Sequence, residues 1–350
     1  MRNDSQIHAT SPAAPLALVL GATGGIGGAV AAKLAGRGYA VRAMHRDASS
    51  QRAKSPDWEW VEGDAMNRED VVRAARGAQL IVHAVNPPGY RNWGKLVLPM
   101  IDNTIAAAQA AGAGILMPGT IYNYAPDVFA NLAEDSPQNP LTAKGRIRVA
   151  LEQRLQAAAG RGTQVILVRA GDFFGPGAGN NWFAQAVVKP GAPLAAITNP
   201  AERGVGHQWA YLPDVAETMV RLVVRADELP AFSRFHMRGF WDEDGLQLGN
   251  AIRRVTGRPD LPTKRFPWLL LRLASPFVPV FRELLEMRYL WKTPLRMDNA
   301  RLVEFLGEEP ATPIDEAVRV TLASLGCLGP ATGGATTRAP ADDRRKGVAA

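Results

Sequence analysis

Short apolar runs alternate with amphipathic stretches through the first half of this 350-residue chain. Leu16–Leu20, Tyr39–Met44, Trp58–Val61, Leu80–Val85, Ile115–Met117 and Val165–Val168 read as strands. Gly28–Gly36, Arg68–Ala75, Lys95–Ala111 and Arg146–Ala159 read as helices between them. Near-continuous apolar strands separated by helices predict a doubly wound α/β protein, its parallel sheet covered on both faces. After residue 170 the pattern loosens. A helix over Leu212–Arg225, a short strand near Arg234–Met237 and a helix near Gln247–Thr256 are followed by a mixed apolar and basic segment, Phe266–Trp291. The expected organisation is a nucleotide-type domain over 15–170 and a smaller C-terminal lobe over 171–328, interleaved with the sheet. Residues 1–14 and 329–350 are poor in large apolar side chains and are expected to be disordered.

The hydrophobic fraction of 47% is that of a globular chain. The formal charge of +7 is partly carried by the tail, at Arg338, Arg344, Arg345 and Lys346. No dense basic run with interleaved aromatics occurs, so nucleic-acid binding is not expected. The single cysteine, Cys327, excludes an intramolecular disulfide and a Cys-rich metal site. No metal is expected. The N-terminus lacks the basic start and apolar core of a secretory signal. No apolar run reaches membrane-spanning length, and Phe266–Phe281 is broken by Pro267, Pro276 and Pro279. A cytoplasmic protein, monomeric or homodimeric, with a small-molecule substrate is expected.

The first strand runs directly into Gly21-Ala-Thr-Gly24-Gly-Ile-Gly27 and then a helix. Gly21 suits a tight turn, Gly24 a close approach of backbone to a pyrophosphate, and Gly27 the packing of helix on sheet. Phosphates would sit on the free N–H groups and positive end of the helix. Gly21, Thr23, Gly24, Gly25, Ile26 and Gly27 are therefore expected cofactor contacts. After the second strand comes His45-Arg46-Asp47. An acidic residue here accepts from the ribose hydroxyls of NAD, whereas an arginine pairs with the 2′-phosphate of NADP. Arg46 favours NADP, with Arg42 a possible helper. Asp47 carries the competing NAD reading. Asp64, in Gly63-Asp64-Ala65, is placed either to accept from an adenine amino group or to cap the next helix. Ala84 and Asn86 close the fourth strand and would let the cofactor lie close. His83, inside that strand, reads as a packed core histidine.

The series Gly21-x-x-Gly24-x-x-Gly27, Gly63-Asp64, Gly171-Asp-Phe-Phe-Gly175-Pro176-Gly177 and Tyr211-Leu-Pro-Asp214-Val-Ala resembles the extended and atypical short-chain dehydrogenase/reductases. These include the NAD-dependent epimerase/dehydratase group. The resemblance implies a Rossmann-type fold and hydride transfer between NADP(H) and a carbonyl, enone or sugar-nucleotide-like substrate. It also implies a Ser or Thr after the fifth strand and a later Tyr-x-x-x-Lys pair. Met117-Pro-Gly-Thr120 matches the first element, with Tyr122 and Tyr124 beside it. At the second, aligning Pro140 and Glu152 puts Lys144 where the tyrosine belongs and Arg148 where the lysine belongs. Two readings follow. Lys144 takes over proton transfer, as in isoflavone-reductase-like members, with Thr120 and Tyr122 or Tyr124 sharing the work. Alternatively, the site binds cofactor without turnover, as in NmrA-like redox sensors, and Lys144 and Arg148 neutralise phosphate.

In the lobe, Phe173, Phe174, Asn180, Asn181, Trp182, His207 and Trp209 are expected to rim the cleft. Phe266–Trp291 reads first as a lid or a packing element, not as a segment inserted in lipid.

Overall fold

The computed structural model describes residues 14–87, 92–177, 179 and 181–328. The two terminal segments expected to be disordered lie, apart from Ala14, outside the described residues.

Seven parallel strands form the central sheet: β1 (Leu16–Leu20), β2 (Ala40–His45), β3 (Glu59–Glu62), β4 (Leu80–His83), β5 (Gly114–Gly119), β6 (Val165–Arg169) and β10 (Phe232–His236). Their spatial order is β3-β2-β1-β4-β5-β6-β10. The connections are α1 (Gly25–Ala35), α2 (Ala48–Arg52), α3 (Arg68–Ala74), α4 (Trp93–Ala111) and α5 (Ala143–Ala159), with α6 (Leu212–Val224) entering β10. This is the Rossmann-type doubly wound architecture.

Alternation along each strand divides the core. Ala17 and Val19 of β1 face Val30, Ala31 and Leu34 of α1 and Val215, Ala216 and Met219 of α6. Leu18 and Leu20 face the opposite layer, with Val71 of α3, Val97 and Ile101 of α4, and Leu151 and Leu155 of α5. With every strand parallel, all C-terminal ends open on one edge. Strand order reverses at β1, which lies between β2 and β4, and a crevice for a ligand opens there.

The last sheet strand, β10, comes from the irregular half of the sequence and pairs with β6 from Phe232↔Val165 to His236↔Arg169. The remaining elements are β7 (Asp172–Phe174), β8 (Ile197–Asn199), β9 (His207–Tyr211), β11 (Phe240–Asp242), α7 (Gln247–Thr256), β12 (Thr263–Arg265), α8 (Trp268–Ala274), α9 (Pro279–Glu286), α10 (Ala300–Leu306) and α11 (Ile314–Ser324). A separate aromatic-rich core, including Phe174, Phe183, Trp209, Trp268 and Trp291, holds most of them. Phe266–Trp291, which periodicity alone left undivided, is a helical hairpin, α8 and α9, followed by a short 3-10 turn at Arg288–Trp291. Pro267 and Pro279 sit at the starts of the two helices, where a missing N–H costs nothing.

Candidate active site

The glycine-rich turn has the geometry its residues require. Gly21 has φ of 90°, and a Cβ there would lie 2.6 Å from the Ala84 carbonyl oxygen. A Cβ on Gly27 would lie 2.2 Å from the Gly21 oxygen, so only glycine lets α1 start against β1. Gly24 is the N-cap of α1 and makes no side-chain cap, and its N–H donates 2.9 Å to Gly21. A helix leaves its first N–H groups without intrahelical partners. Those of Gly25, Ile26 and Gly27 thus form an anion cradle at the dipole's positive end. The helix begins three residues earlier than periodicity indicates, because glycines carry no hydrophobic signal. The residues present fit a dinucleotide pyrophosphate.

Just after β2, Arg46 is exposed and lines a depression with Glu62, Gly63, Asp64 and Arg73. Asp47 is occupied: its carboxylate caps α2, accepting from Ser50 N–H at 3.1 Å and Ser49 Oγ at 2.8 Å. Those hydrogen bonds hold its pKa below the ordinary carboxylate value. Arg42 is also committed elsewhere. It pairs with Glu59 at 2.9 Å and donates to the carbonyls of Ala74 and Arg76, each at 2.8 Å, so it gives Arg46 no help. Asp64 is not the helix cap. Asn67 caps α3, while Asp64 accepts from Met66 N–H at 2.9 Å in a turn. Ala65 is buried behind it and its carbonyl accepts from Asn103 at 2.9 Å.

The second cleft, about 310 Å³, opens at the ends of β4, β5 and β6. Asn86, Thr120, Tyr122, Arg148, Asp172 and Phe173 line it. Arg148 donates 3.1 Å to Asn86 and lies 4.7 Å above the Trp93 ring. Thr120 Oγ donates 3.2 Å to Asn123 Oδ1. Asn123 is fully buried and gives its amide hydrogens to Glu152 at 2.9 Å and Gln138 at 3.2 Å. The Glu152 carboxylate can only accept, which fixes the amide orientation and directs the Thr120 proton away from the cleft. The lone pairs of Thr120 are left to accept.

Lys144 is brought near but not into the cleft. Its side chain is 3% exposed and its ammonium is clamped between Glu283 and Glu286 of α9. Tyr124 is wholly buried, with the Arg169 guanidinium 5.0 Å over its ring, and does not line the cleft. Tyr122 does. Its carbonyl would lie 2.2 Å from a Cβ on Gly145, so a glycine in the first turn of α5 allows the tyrosine loop to seat there. His83 is buried and bonded to Thr104 at 2.8 Å. Burial, with Arg148 nearby, pushes its pKa down to about 3.

From the lobe, the aromatics Phe173, Trp182 and Phe266 line the cleft with the amide Asn181. Phe174, His207 and Trp209 do not rim it. They are buried in the lobe's aromatic core, with His207 stacked on Trp291 at 3.8 Å. β7 and β9 are paired strands, and alternation turns these rings inward. Asn180 lies outside the described residues. Two pairings escape sequence reasoning: Asp172 with His207, and Arg169 with Glu152. Asp172 faces the cleft and accepts from, or shares a proton with, His207 Nε2 at 2.8 Å. The glycine-rich motif over 171–177 contains Asp172 but does not indicate its partner, which is 35 residues away.

Residues 21–172 match the model of an NAD(P)H-binding family. The chain is 32% identical over 180 residues to a 3-diazoavenalumate denitrifying reductase of Streptomyces, 46% of this chain and 57% of that one. It spans about half the length of the curated relatives it matches. In fold it is similar to the UDP-N-acetylglucosamine 4-epimerase of Bacillus cereus, with TM-score 0.67, 17% identity, and 89% and 96% of the two chains covered. It is likewise similar to the UDP-glucose-4-epimerase of Stenotrophomonas maltophila solved with bound NAD, with TM-score 0.67, 14% identity, and coverage of 89% and 98%. Residues 21–172 thus match an NAD(P)H-binding family, in a chain whose fold is similar to that of these solved epimerases.

Proposed function

We propose that this protein is an NADPH-linked reductase of a carbonyl or enone on an apolar, aromatic-sized substrate. The observation that carries this is the shared cleft: Thr120, Tyr122 and Arg148 line it together with Phe173, Trp182, Phe266 and Leu284. The reductase named among the relatives supports the reaction type. Reduced nicotinamide, when bound, would supply a hydride. Arg148 and Asn86 would hold its ribose, and Gly25, Ile26 and Gly27 its pyrophosphate. Arg46 would read a 2′-phosphate, and Asp64 and Ala65 would flank the adenine.

Tyr122, on the cleft wall, would give its hydroxyl proton to the substrate oxygen, and solvent would return the proton to the tyrosinate. Thr120, with its own proton directed to Asn123, accepts a hydrogen bond from a substrate or tyrosine hydroxyl. Lys144 takes a positioning role in this scheme, because its ammonium is engaged by two carboxylates outside the cleft wall. Tyr124 supports the loop from beneath.

The test is NADPH oxidation across a panel of aryl ketones, aldehydes and enones. Tyr122→Phe is expected to lower turnover by about 10²–10⁴, the share of one acid–base group, with cofactor affinity nearly unchanged. Full activity of that variant would remove the tyrosine from the mechanism. The capture of Lys144 favours a second reading, a non-catalytic NmrA-like sensor. It requires NADPH binding with no oxidation by any member of the panel.

A further inference from the structure

The hairpin formed by α8 and α9 has two unlike sides. Trp268 and Leu271 point inward, and Trp268 Nε1 donates 2.8 Å to the Pro200 carbonyl. On the outer side Leu269, Leu270 and Leu273 are 67%, 64% and 66% exposed, and Phe277, in the turn between the helices, is 86% exposed. Side chains of this size, gathered on one protruding hairpin, make an apolar knob rather than scattered surface residues.

Exposed cations lie on the hairpin itself and on the strand that leads into it. Lys264 and Arg265 on β12, Arg272 on α8 and Arg282 on α9 are all exposed. None of these four enters an ion pair among the described residues, whereas Arg288 and Lys292 farther on both pair with Glu202. The hairpin's own carboxylates, Glu283 and Glu286, are turned onto Lys144 on the other side. Apolar side chains at the tip and unpaired cations on the hairpin and its lead-in strand match the two layers of an anionic lipid surface. A second copy of the chain is a poor match. Two-fold pairing sets a patch against itself, and here it would bring arginine against arginine.

The cleft ties the knob to the site. Val280, 40% exposed at the start of α9, also lines the cleft, beside Phe266 and Leu284. Val280 thus belongs both to the exposed hairpin and to the cleft lining.

We propose that the α8–α9 hairpin docks this protein on the headgroup layer of an anionic bilayer, with the cleft mouth at the lipid surface. No helix among the described residues is long and apolar enough to cross a membrane, so the contact is interfacial. An apolar substrate dissolved in lipid would then reach the cleft without crossing bulk water. Docking stands independently of the reductase reading, since it is measured without turnover.

The experiment is flotation of the full chain with vesicles of phosphatidylcholine plus phosphatidylglycerol, and with phosphatidylcholine alone. Co-flotation with the anionic vesicles is expected, weakened by high salt and much lower on the neutral ones. The triple variant Leu270→Ser, Leu273→Ser, Phe277→Ser should lose at least about tenfold in partitioning. Its melting temperature and NADPH affinity should match the parent. The pair Arg272→Glu, Arg282→Glu should lose binding too, an independent arm if the triple variant folds poorly. No flotation with anionic vesicles at low salt would overturn the proposal. Equal flotation of parent and charge-reversed pair would assign binding to another surface, and would overturn it as well. So would a dimer, seen by light scattering, that the triple variant dissociates while vesicles remain unbound.

Discussion

The guanidinium of Arg169, at the end of β6, lies wholly buried against the carboxylate of Glu152 on α5. The same arginine donates 2.6 Å through Nε to the Thr120 carbonyl. Arg234 joins the carboxylate at 3.2 Å, and His236 lies 3.3 Å from the guanidinium. Two strands and one helix are thereby tied beneath the Thr120 loop. Glu152→Gln keeps the size of the side chain but leaves two cations with no counter-charge. It is expected to destabilise by about 3–5 kcal/mol, as breaking a buried ion pair does. Urea unfolding reads this directly. Unchanged stability would mean that solvent or other groups carry the charge.

Cofactor preference should depend on Arg46. A guanidinium on a 2′-phosphate gains charge-assisted hydrogen bonds worth roughly 1.5–3 kcal/mol. NADPH should bind at least about tenfold more tightly than NADH, and Arg46→Ala should remove most of the difference. The occupied Asp47 carboxylate strengthens this expectation. Equal affinities in the parent, measured by fluorescence titration, would refute the role of Arg46.

Lys144→Ala separates positioning from proton donation. As an anchor for α9, Lys144 holds one wall of the cleft through Glu283 and Glu286. Its loss should raise KM and lower kcat by less than about tenfold. A proton donor would instead cost about 10²–10⁴ in kcat with KM little changed. Steady-state kinetics on the best substrate of the panel distinguishes the two.

Stability should fall with acid already near neutrality. His83 is neutral when buried, with its pKa pushed from 6.5 to about 3. His236 is pushed well below its ordinary value by burial and by Arg169. Below pH 6.5 the unfolded chain takes up protons that the native one refuses, so the stability is present above that pH and is lost as pH falls toward the folded values. Each histidine contributes a slope of up to about 1.4 kcal/mol per pH unit. His83→Gln should flatten the dependence by that amount between about pH 5 and the histidine midpoint, in urea titrations at stepped pH. An unaltered slope would show that His83 is protonated in the native state.

The sequence by itself determined the positions of the sheet's first six strands, the glycine-rich turn and several helix bounds. Leu16–Leu20 and Gln247–Thr256 have the same ends by pattern and by structure, because apolar period and strong end signals coincide there. Gly21 and Gly27 were legible because a backbone constraint leaves one residue type as the solution. Only the tertiary structure decided which side chains share a cleft. Tyr122, Tyr124 and Lys144 are neighbours in any motif alignment. One lines the cleft, one lies beneath Arg169, and one is held by α9, more than a hundred residues later. Asp172 with His207, and Arg169 with Glu152, were illegible for the same reason: local pattern encodes burial and period, while charge pairing is set by which distant element packs opposite. The hairpin shows the limit most clearly. Its leucines have the composition of a core helix, and only the packing of Trp268 and Leu271 inward left Leu269, Leu270 and Leu273 facing out.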